Sequence, residues 1–142
     1  MTLIEQYISN NHFGKTLGME FKIIEPGLVH YFITIKKEHL ATPLAAHGGV
    51  ISALMDGLLG VTALSVSSKD HHIVSTIEFK INFLSAAFEG DTLQGIGKVE
   101  NQGKRLIVTS GDIICPARDN AVIAKAMGTF NTYPAEKAGY TI

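Results

Sequence analysis

The sequence is poor in cysteine and carries no excess of charge of either sign. It contains one cysteine, Cys115, which excludes an internal disulfide and a thiolate cluster, and we expect this residue in the core of an apolar strand. Twelve basic residues face 13 acidic ones, for a net charge of -1. The basic residues neither cluster nor alternate with aromatic residues, as nucleic-acid binding would require. We therefore expect no nucleic-acid partner.

Signals for export and for membrane insertion are also missing from the sequence. Met1–Asn11 has no basic start followed by an apolar run. The longest apolar stretch, Val50–Val66, is shorter than the ~20 residues that a bilayer needs, and it carries Asp56. We expect a cytoplasmic protein without a membrane partner. With 142 residues, 46% of them apolar, the chain can form one domain over residues 1–142 with its own core.

Hydrophobic periodicity predicts one short helix, two strands, one long helix and four further strands. Apolar residues at helical spacing start at Leu3 and predict a helix that ends near Asn10–Asn11. The long helix, Gly48–Ser67, is apolar on nearly all sides and must therefore be buried. The tail after Tyr133 has no periodicity and is expected to be loose. The predicted strands are Met19–Ile24, one from about Leu28 to Ile35, Ile73–Phe83, Thr92–Glu100, Leu106–Cys115 and Val122–Thr132.

The connections between the last four strands are short, which predicts antiparallel neighbours. A sheet that curls around the long helix is the simplest way to bury it. The sequence therefore predicts an α+β fold, in which a curved antiparallel sheet of about six strands wraps around one long apolar helix, with a short helix at the N-terminus.

Asp56 is the most conspicuous candidate for chemistry, because a charge within an apolar helix is costly unless it is paired or used. Its structural alternative is a carboxylate bonded to the backbone or packed at a subunit boundary. His47-Gly48-Gly49 lies just before the helix, where free backbone amides suit a developing negative oxygen. The alternative is that these glycines only make the start of the helix flexible and have no catalytic role.

The spacing of these two candidates predicts a dimer. His47 precedes Asp56 by nine residues, which amounts to ~13 Å along a helix. The two cannot act on one substrate within one chain, so a site that uses both requires two antiparallel copies of the helix side by side. Thr76 is a third polar candidate, although a threonine in a strand is ordinarily structural. No cysteine or histidine lies at metal-ligand spacing, and no phosphate loop, nucleophile elbow or dinucleotide fingerprint occurs.

These residues resemble a known family. His47-Gly48-Gly49-Val50, then Leu54-Met55-Asp56 and Gly60, are similar to the signature of the hotdog-fold acyl-CoA thioesterases of the phenylacetic-acid-degradation type, which are PaaI-like and related to 4-hydroxybenzoyl-CoA thioesterases. A second block agrees, and the match runs from about Leu17 to Thr132. Its segments are Thr76, Asn82-Phe83-Leu84, Gly90-Asp91-Thr92-Leu93, Gly103-Lys104, Ala124 and Gly128-Thr129-Phe130.

The resemblance implies a hotdog fold, dimers that usually pair into tetramers, and hydrolysis of an acyl-CoA thioester with no cofactor other than the coenzyme A of the substrate. Asp56 would be the general base or the nucleophile, and Thr76 would assist the water. The Gly48 amide would polarise the carbonyl, and His47 would orient the substrate. Gly49 and Asn82 are candidates for further substrate contacts. Because coenzyme A carries phosphates, cations are expected near the mouth of the site, and Lys104 and Arg105, with Lys80, are the candidates, although solvated charges at strand ends are the ordinary alternative for each.

One position departs from the family pattern. Many relatives carry an asparagine about six residues before the histidine, where this chain has Ala41, and Thr42 is the neighbour that could replace it in part. Three alternatives to the thioesterase stay open: a hotdog dehydratase or hydratase, a non-catalytic binder of acyl ligands, and a purely structural homo-oligomer. The hydratase lacks support because Val61, not a histidine, follows Asp56 by five residues. The acyl group is not readable from the sequence.

Overall fold

Six antiparallel strands form one sheet in the computed structural model, which describes residues 1–141. The order across the sheet is β1-β2-β4-β5-β6-β3, so the fourth strand lies beside the second and the third closes the far edge. Each strand lies within about two residues of its expected bounds. The strands are β1 Glu20–Glu25, β2 Leu28–Thr34, β3 His72–Phe83, β4 Thr92–Gln102, β5 Leu106–Cys115 and β6 Ala121–Pro134.

Three helices accompany the sheet: α1 (Leu3–Asn10), α2 (His12–Leu17) and α3 (Gly48–Ser67). Helix α3 has the expected bounds and forms the centre of the core, where complete burial of each large apolar side chain is worth about 1.5–3 kcal/mol. A Cβ atom on Gly111 of β5 would lie 2.8 Å from Leu58, so glycine at this point lets the helix lie close to the sheet. The helix residues with no exposed surface include Leu54, Met55, Leu58 and Leu59.

The segment Gly48–Asp70 is long and apolar enough to cross a membrane, with a mean hydropathy of 1.7, but 67% of that window is buried inside the protein. Cys115 is also fully buried, as expected. A single long helix buried against a six-stranded antiparallel sheet, with a short helix before it, is the hotdog arrangement. The expected fold class is therefore confirmed.

The second helix, α2, was not expected, because the predicted first helix ends near Asn10–Asn11 and the next predicted element is the strand that begins at Met19. Gly14 lies in the first turn of α2, where its amide donates to the Asn11 side chain at 3.2 Å. Gly18 ends the helix with φ of 81°, a left-handed conformation that glycine adopts without strain. Both glycines therefore belong to the boundaries of a helix.

The chain after Tyr133 is held more firmly than its lack of periodicity indicated. It forms a single turn, Ala135–Ala138, and Ala135 is 1% exposed. The Gln6 side chain of α1 donates to the Thr141 carbonyl at 3.0 Å and accepts from the Thr141 amide at 3.1 Å. The tail is therefore packed against the first helix.

A loop clamp holds the chain just before α3. Asp91 accepts hydrogen bonds from Arg118 Nη2 and from the Phe88 amide, both at 2.7 Å. The Phe88 segment forms a β-bridge with Ala45, two residues before His47. The Arg118–Asp91 ion pair thus holds the Phe88 loop in place, and this loop in turn holds the chain just before α3.

Candidate active site

Asp56 and Thr76 lie together in the folded chain. The Thr76 hydroxyl donates a hydrogen bond of 2.7 Å to Asp56 Oδ1. Asp56 is half-buried on α3, and within residues 1–141 its second oxygen, Oδ2, accepts no hydrogen bond. One carboxylate oxygen is therefore oriented by a hydroxyl group, and the other is available to a water molecule or a substrate.

A β-bulge in β3 puts Thr76 on this face. The register between β3 and β6 shifts between Thr76 and Glu78, so Ile77 is the extra residue and is 55% exposed. The regular periodicity that predicted the strand Ile73–Phe83 is broken at this point. Thr76 lies before the bulge and faces α3, and Phe79 and Ile81 lie after it and pack against the core. In a regular strand, the even-numbered Thr76 and the odd-numbered Phe79 and Ile81 would point to opposite faces, and the bulge removes this difference.

Asp56 and Thr76 line a small cavity of about 120 Å³ between α3, the sheet and α1. One stripe of the helix forms its floor, where Gly57 and Gly60 leave space that side chains would fill. The other walls are apolar apart from Thr76 and the Tyr7 phenol. The residues that line the cavity are Tyr7, Asp56, Gly57, Gly60, Leu64, Ile73, Val74, Thr76 and Phe130.

The first turn of α3 forms a separate polar group. His47 precedes the helix, and its Nδ1 atom accepts a hydrogen bond of 2.7 Å from the Gly49 amide. The Gly48 amide donates to no acceptor within the part of the chain that the structure describes, and all three residues are exposed. An unpaired amide at the positive end of a helix is a suitable donor to a negatively charged oxygen.

These two groups do not meet on one chain. They belong to the same helix, nine residues or ~13 Å apart. His47 and Gly49 line a different cavity of about 290 Å³ beside α2. The structure therefore brings Asp56 together with Thr76, and His47 with Gly48 and Gly49, as two clusters.

The remaining predicted residues lie away from both clusters. Asn82 is exposed on β3, six residues beyond Thr76, and accepts a hydrogen bond of 2.8 Å from Lys80. Lys104 and Arg105 are exposed in the turn between β4 and β5. Lys104 lines a polar cavity of about 480 Å³ at the C-terminal end of α3, together with Lys69 and His72.

Thr42, beside the alanine that replaces the family's asparagine, uses its hydroxyl oxygen in a local turn. It accepts hydrogen bonds from the amides of Leu44 at 3.3 Å and Ala45 at 2.9 Å. Within residues 1–141, no group of three or more His, Cys, Asp or Glu side chains is placed to hold a metal ion.

Comparison with known proteins assigns the chain to a family. Residues 45–121, just over half of the chain, match the family model of the thioesterase superfamily. The chain belongs to this superfamily. A protein named as a candidate esterase from Archaeoglobus fulgidus is 31% identical over 121 residues, which cover 84% of this chain and 74% of the relative.

Two solved structures show the same fold. The Escherichia coli PaaI protein of the phenylacetic acid degradation operon superposes with a TM-score of 0.83 at 22% identity, covering 92% of this chain and 90% of that one. A hypothetical thioesterase from Streptococcus pneumoniae, solved with coenzyme A, has a TM-score of 0.78 at 23% identity, covering 89% and 97%. Both likenesses support the hotdog fold.

Sequence reasoning missed Tyr7, which reaches the Asp56 cavity from α1. Burial, followed by the effects of Tyr31, Tyr140 and Asp56, raises the pKa of the Tyr7 phenol, so it stays neutral over the ordinary pH range. The helical spacing placed Tyr7 on the apolar side of α1 but gave no sign of which surface that side would meet.

Proposed function

We propose that this thioesterase-superfamily protein hydrolyses acyl thioesters of coenzyme A, with Asp56 as its working carboxylate. The observation that carries the proposal is the hydrogen bond of 2.7 Å from Thr76 to Asp56. It orients a carboxylate that comes from an otherwise apolar helix and lies in the wall of a cavity. A half-buried carboxylate with one oxygen fixed and the other free is equipped to accept a proton or to attack a carbonyl.

In the general-base form of the reaction, Asp56 takes a proton from a water molecule, and the water oxygen attacks the thioester carbonyl carbon. The carbon–sulfur bond then breaks, and the coenzyme A thiolate leaves and is protonated. In the nucleophilic form, an Asp56 oxygen attacks the carbonyl carbon, the carbon–sulfur bond breaks and the coenzyme A thiolate leaves and is protonated. Water then hydrolyses the resulting anhydride, which releases the free acid and regenerates Asp56. Thr76 orients the carboxylate in both forms.

The negative charge that develops on the carbonyl oxygen needs a donor, and we assign this role to the Gly48 amide, with His47 and Gly49 orienting the substrate. Because this amide lies eight residues, or ~12 Å, from Asp56 along the same helix, the donor would come from a second copy of the chain. The edge strand β3 supports a homodimer, since exposed Ile77 and Phe83 lie on a strand with an unpaired edge. Such dimers could pair further into tetramers.

For the coenzyme A end, we assign phosphate contacts to Lys104 and Arg105 and a further substrate contact to Asn82. The Lys104 cavity, with Lys69 beside it, offers positive charge for this purpose. The proposed enzyme is cytoplasmic and needs no cofactor beyond the coenzyme A of its substrate.

Release of free thiol from a panel of acyl-CoA thioesters tests the proposal. We expect hydrolysis of at least one thioester far above the spontaneous rate, at a rate unchanged by prolonged chelation of metals. Binding of acyl-CoA without any thiol release across the panel would contradict hydrolysis and favour a non-catalytic binder. A rate lost on chelation and restored by zinc would contradict the carboxylate mechanism.

A further inference from the structure

Two cavities of different size have neighbouring aromatic rings in their walls. The cavity beside Asp56 has a volume of about 120 Å³, and Tyr7 lines it. A second cavity has a volume of about 440 Å³, and Phe21 and Tyr31 line it together with residues of α1, α2 and β1.

The three rings pack in sequence, from Tyr7 in the wall of the small cavity to Phe21 and Tyr31 in the wall of the large one. The ring centroids of Tyr7 and Phe21 are 6.1 Å apart, and those of Phe21 and Tyr31 are 5.3 Å apart. The Tyr31 ring also reaches α3, because a Cβ atom on Gly57 would lie 3.2 Å from Tyr31 Cε2. The three rings therefore form a layer that runs from α1 to the helix residue next to Asp56.

We propose that the small cavity receives the acyl group of the thioester, that Tyr7 forms its closed end, and that the site therefore prefers compact acyl groups, up to the size of one six-membered ring, over extended fatty chains. This inference takes the ligand to be an acyl thioester of coenzyme A, and in that respect it rests on the proposed function.

The volume sets this limit. An engineered apolar cavity of about 150 Å³ in another protein binds benzene, so a cavity of about 120 Å³ holds a group of that size or smaller. A chain of eight or more carbons would have to enter the larger cavity, and the aromatic layer lies across that route.

Tyr7 is the member of the layer that controls the limit. Tyr31 is 1% exposed and belongs to the central core, whereas Tyr7 is half-buried on a short helix at the edge of that core. Removing the Tyr7 ring would join the two cavities and leave the core residues around Leu58 in place.

The test is calorimetric binding of non-hydrolysable thioether analogues of acyl-CoA, with S-ethyl, S-benzyl and S-octyl groups. Wild-type protein should bind the S-benzyl analogue at least about tenfold more tightly than the S-octyl analogue. Tyr7→Ala should reverse this preference, because each methylene newly buried raises affinity by about fourfold. Tyr7→Phe is the matched control: it keeps the ring and should keep the wild-type preference.

A second variant changes the wall of the small cavity that α3 forms. A Cβ atom on Gly60 would lie 3.3 Å from Phe130 Cε2, so Gly60→Ala narrows the cavity. It should weaken S-benzyl binding relative to S-ethyl binding, and it tests the inference even if Tyr7→Ala does not fold.

The outcomes separate this inference from the proposed function. Selective binding of compact analogues by a protein that hydrolyses no thioester would overturn the function and support the acyl pocket. Equal binding of S-octyl and S-benzyl analogues by wild type would overturn the pocket whatever the rate of hydrolysis. An unchanged preference in both Tyr7→Ala and Gly60→Ala, or no binding of any analogue, would also overturn it.

Discussion

At the scale of single residues, the candidate site depends on one hydrogen bond. Thr76 holds Asp56 Oδ1 at 2.7 Å and thereby selects one orientation of a carboxylate on a helix that is otherwise apolar. Hydrogen bonds to charged groups are stronger than those between neutral groups. The orientation of Asp56 should therefore depend on the Thr76 hydroxyl.

Replacing Thr76 by valine removes this hydroxyl and keeps a β-branched side chain suited to a strand. We expect Thr76→Val to lower kcat/KM for thioester hydrolysis by about 10- to 100-fold, since a hydrogen bond to a charged group is worth ~1.5–3 kcal/mol. Thiol release measures the effect, and Thr76→Ser, which retains a hydroxyl, should keep most of the activity. Equal rates for the valine variant and wild type would remove Thr76 from the mechanism.

The sequence predicted Asp56 and could not have predicted Tyr7. A charge in an apolar helix stands out in the chain itself, because burying it is costly without a purpose. The position of Tyr7 next to Asp56 depends on how α1 and the unexpected α2 pack on the core, and no local pattern encodes that packing.

At the scale of elements, the long helix and the strands followed their sequence periodicity, and irregular features departed from it. Helix α3 began and ended where expected. Because it is apolar on nearly all sides, it is stable only when it is buried, and most of its residues are buried in the structure. The bulge at Ile77 was missed, since it arises from the pairing of β3 with β6 and not from β3 alone. This bulge brings Thr76 and Phe79 to the same face.

The loop clamp before α3 should make the stability of the protein depend on pH. Partial burial raises the pKa of the Asp91 carboxyl, but hydrogen bonds from Arg118 and the Phe88 amide, with the Arg118 charge, outweigh it and hold the pKa below its ordinary value. Because the folded-state pKa lies below the unfolded one, ionised Asp91 stabilises the fold above pH ~4, and this contribution is lost as the pH falls through the folded-state pKa.

Asp91→Asn should therefore lower the free energy of unfolding by about 1–3 kcal/mol at pH 7, and by less as the pH falls through the folded-state pKa of Asp91. Urea unfolding at pH 7 and at an acidic pH measures the difference. Asp112→Asn is the matched control, since its ion pair with Lys125 is about half-exposed and should be worth less than ~1 kcal/mol. A loss for Asp91→Asn that is the same at both pH values would contradict the pKa argument.

At the scale of the whole molecule, the two polar clusters explain why a complete site would need two copies of the chain. Helix spacing alone predicted that His47 and Asp56 cannot meet within one chain, and the structure keeps them in separate cavities. The sequence could not give the shape of the cavity beside Asp56, because its walls come from α1, α3, β3 and β6 together. That shape exists only once the fold has formed.

The rate of thiol release by Asp56→Asn, on the best substrate of the panel, tests the central claim most directly. Asparagine keeps the shape of the side chain and can accept the Thr76 hydrogen bond, but it can neither take a proton from water nor attack as an anion. We expect a loss of at least ~10²–10⁴-fold in kcat, with the melting temperature and the oligomer mass by light scattering unchanged. Activity within a few-fold of wild type would contradict the catalytic role of Asp56 and with it the proposed mechanism.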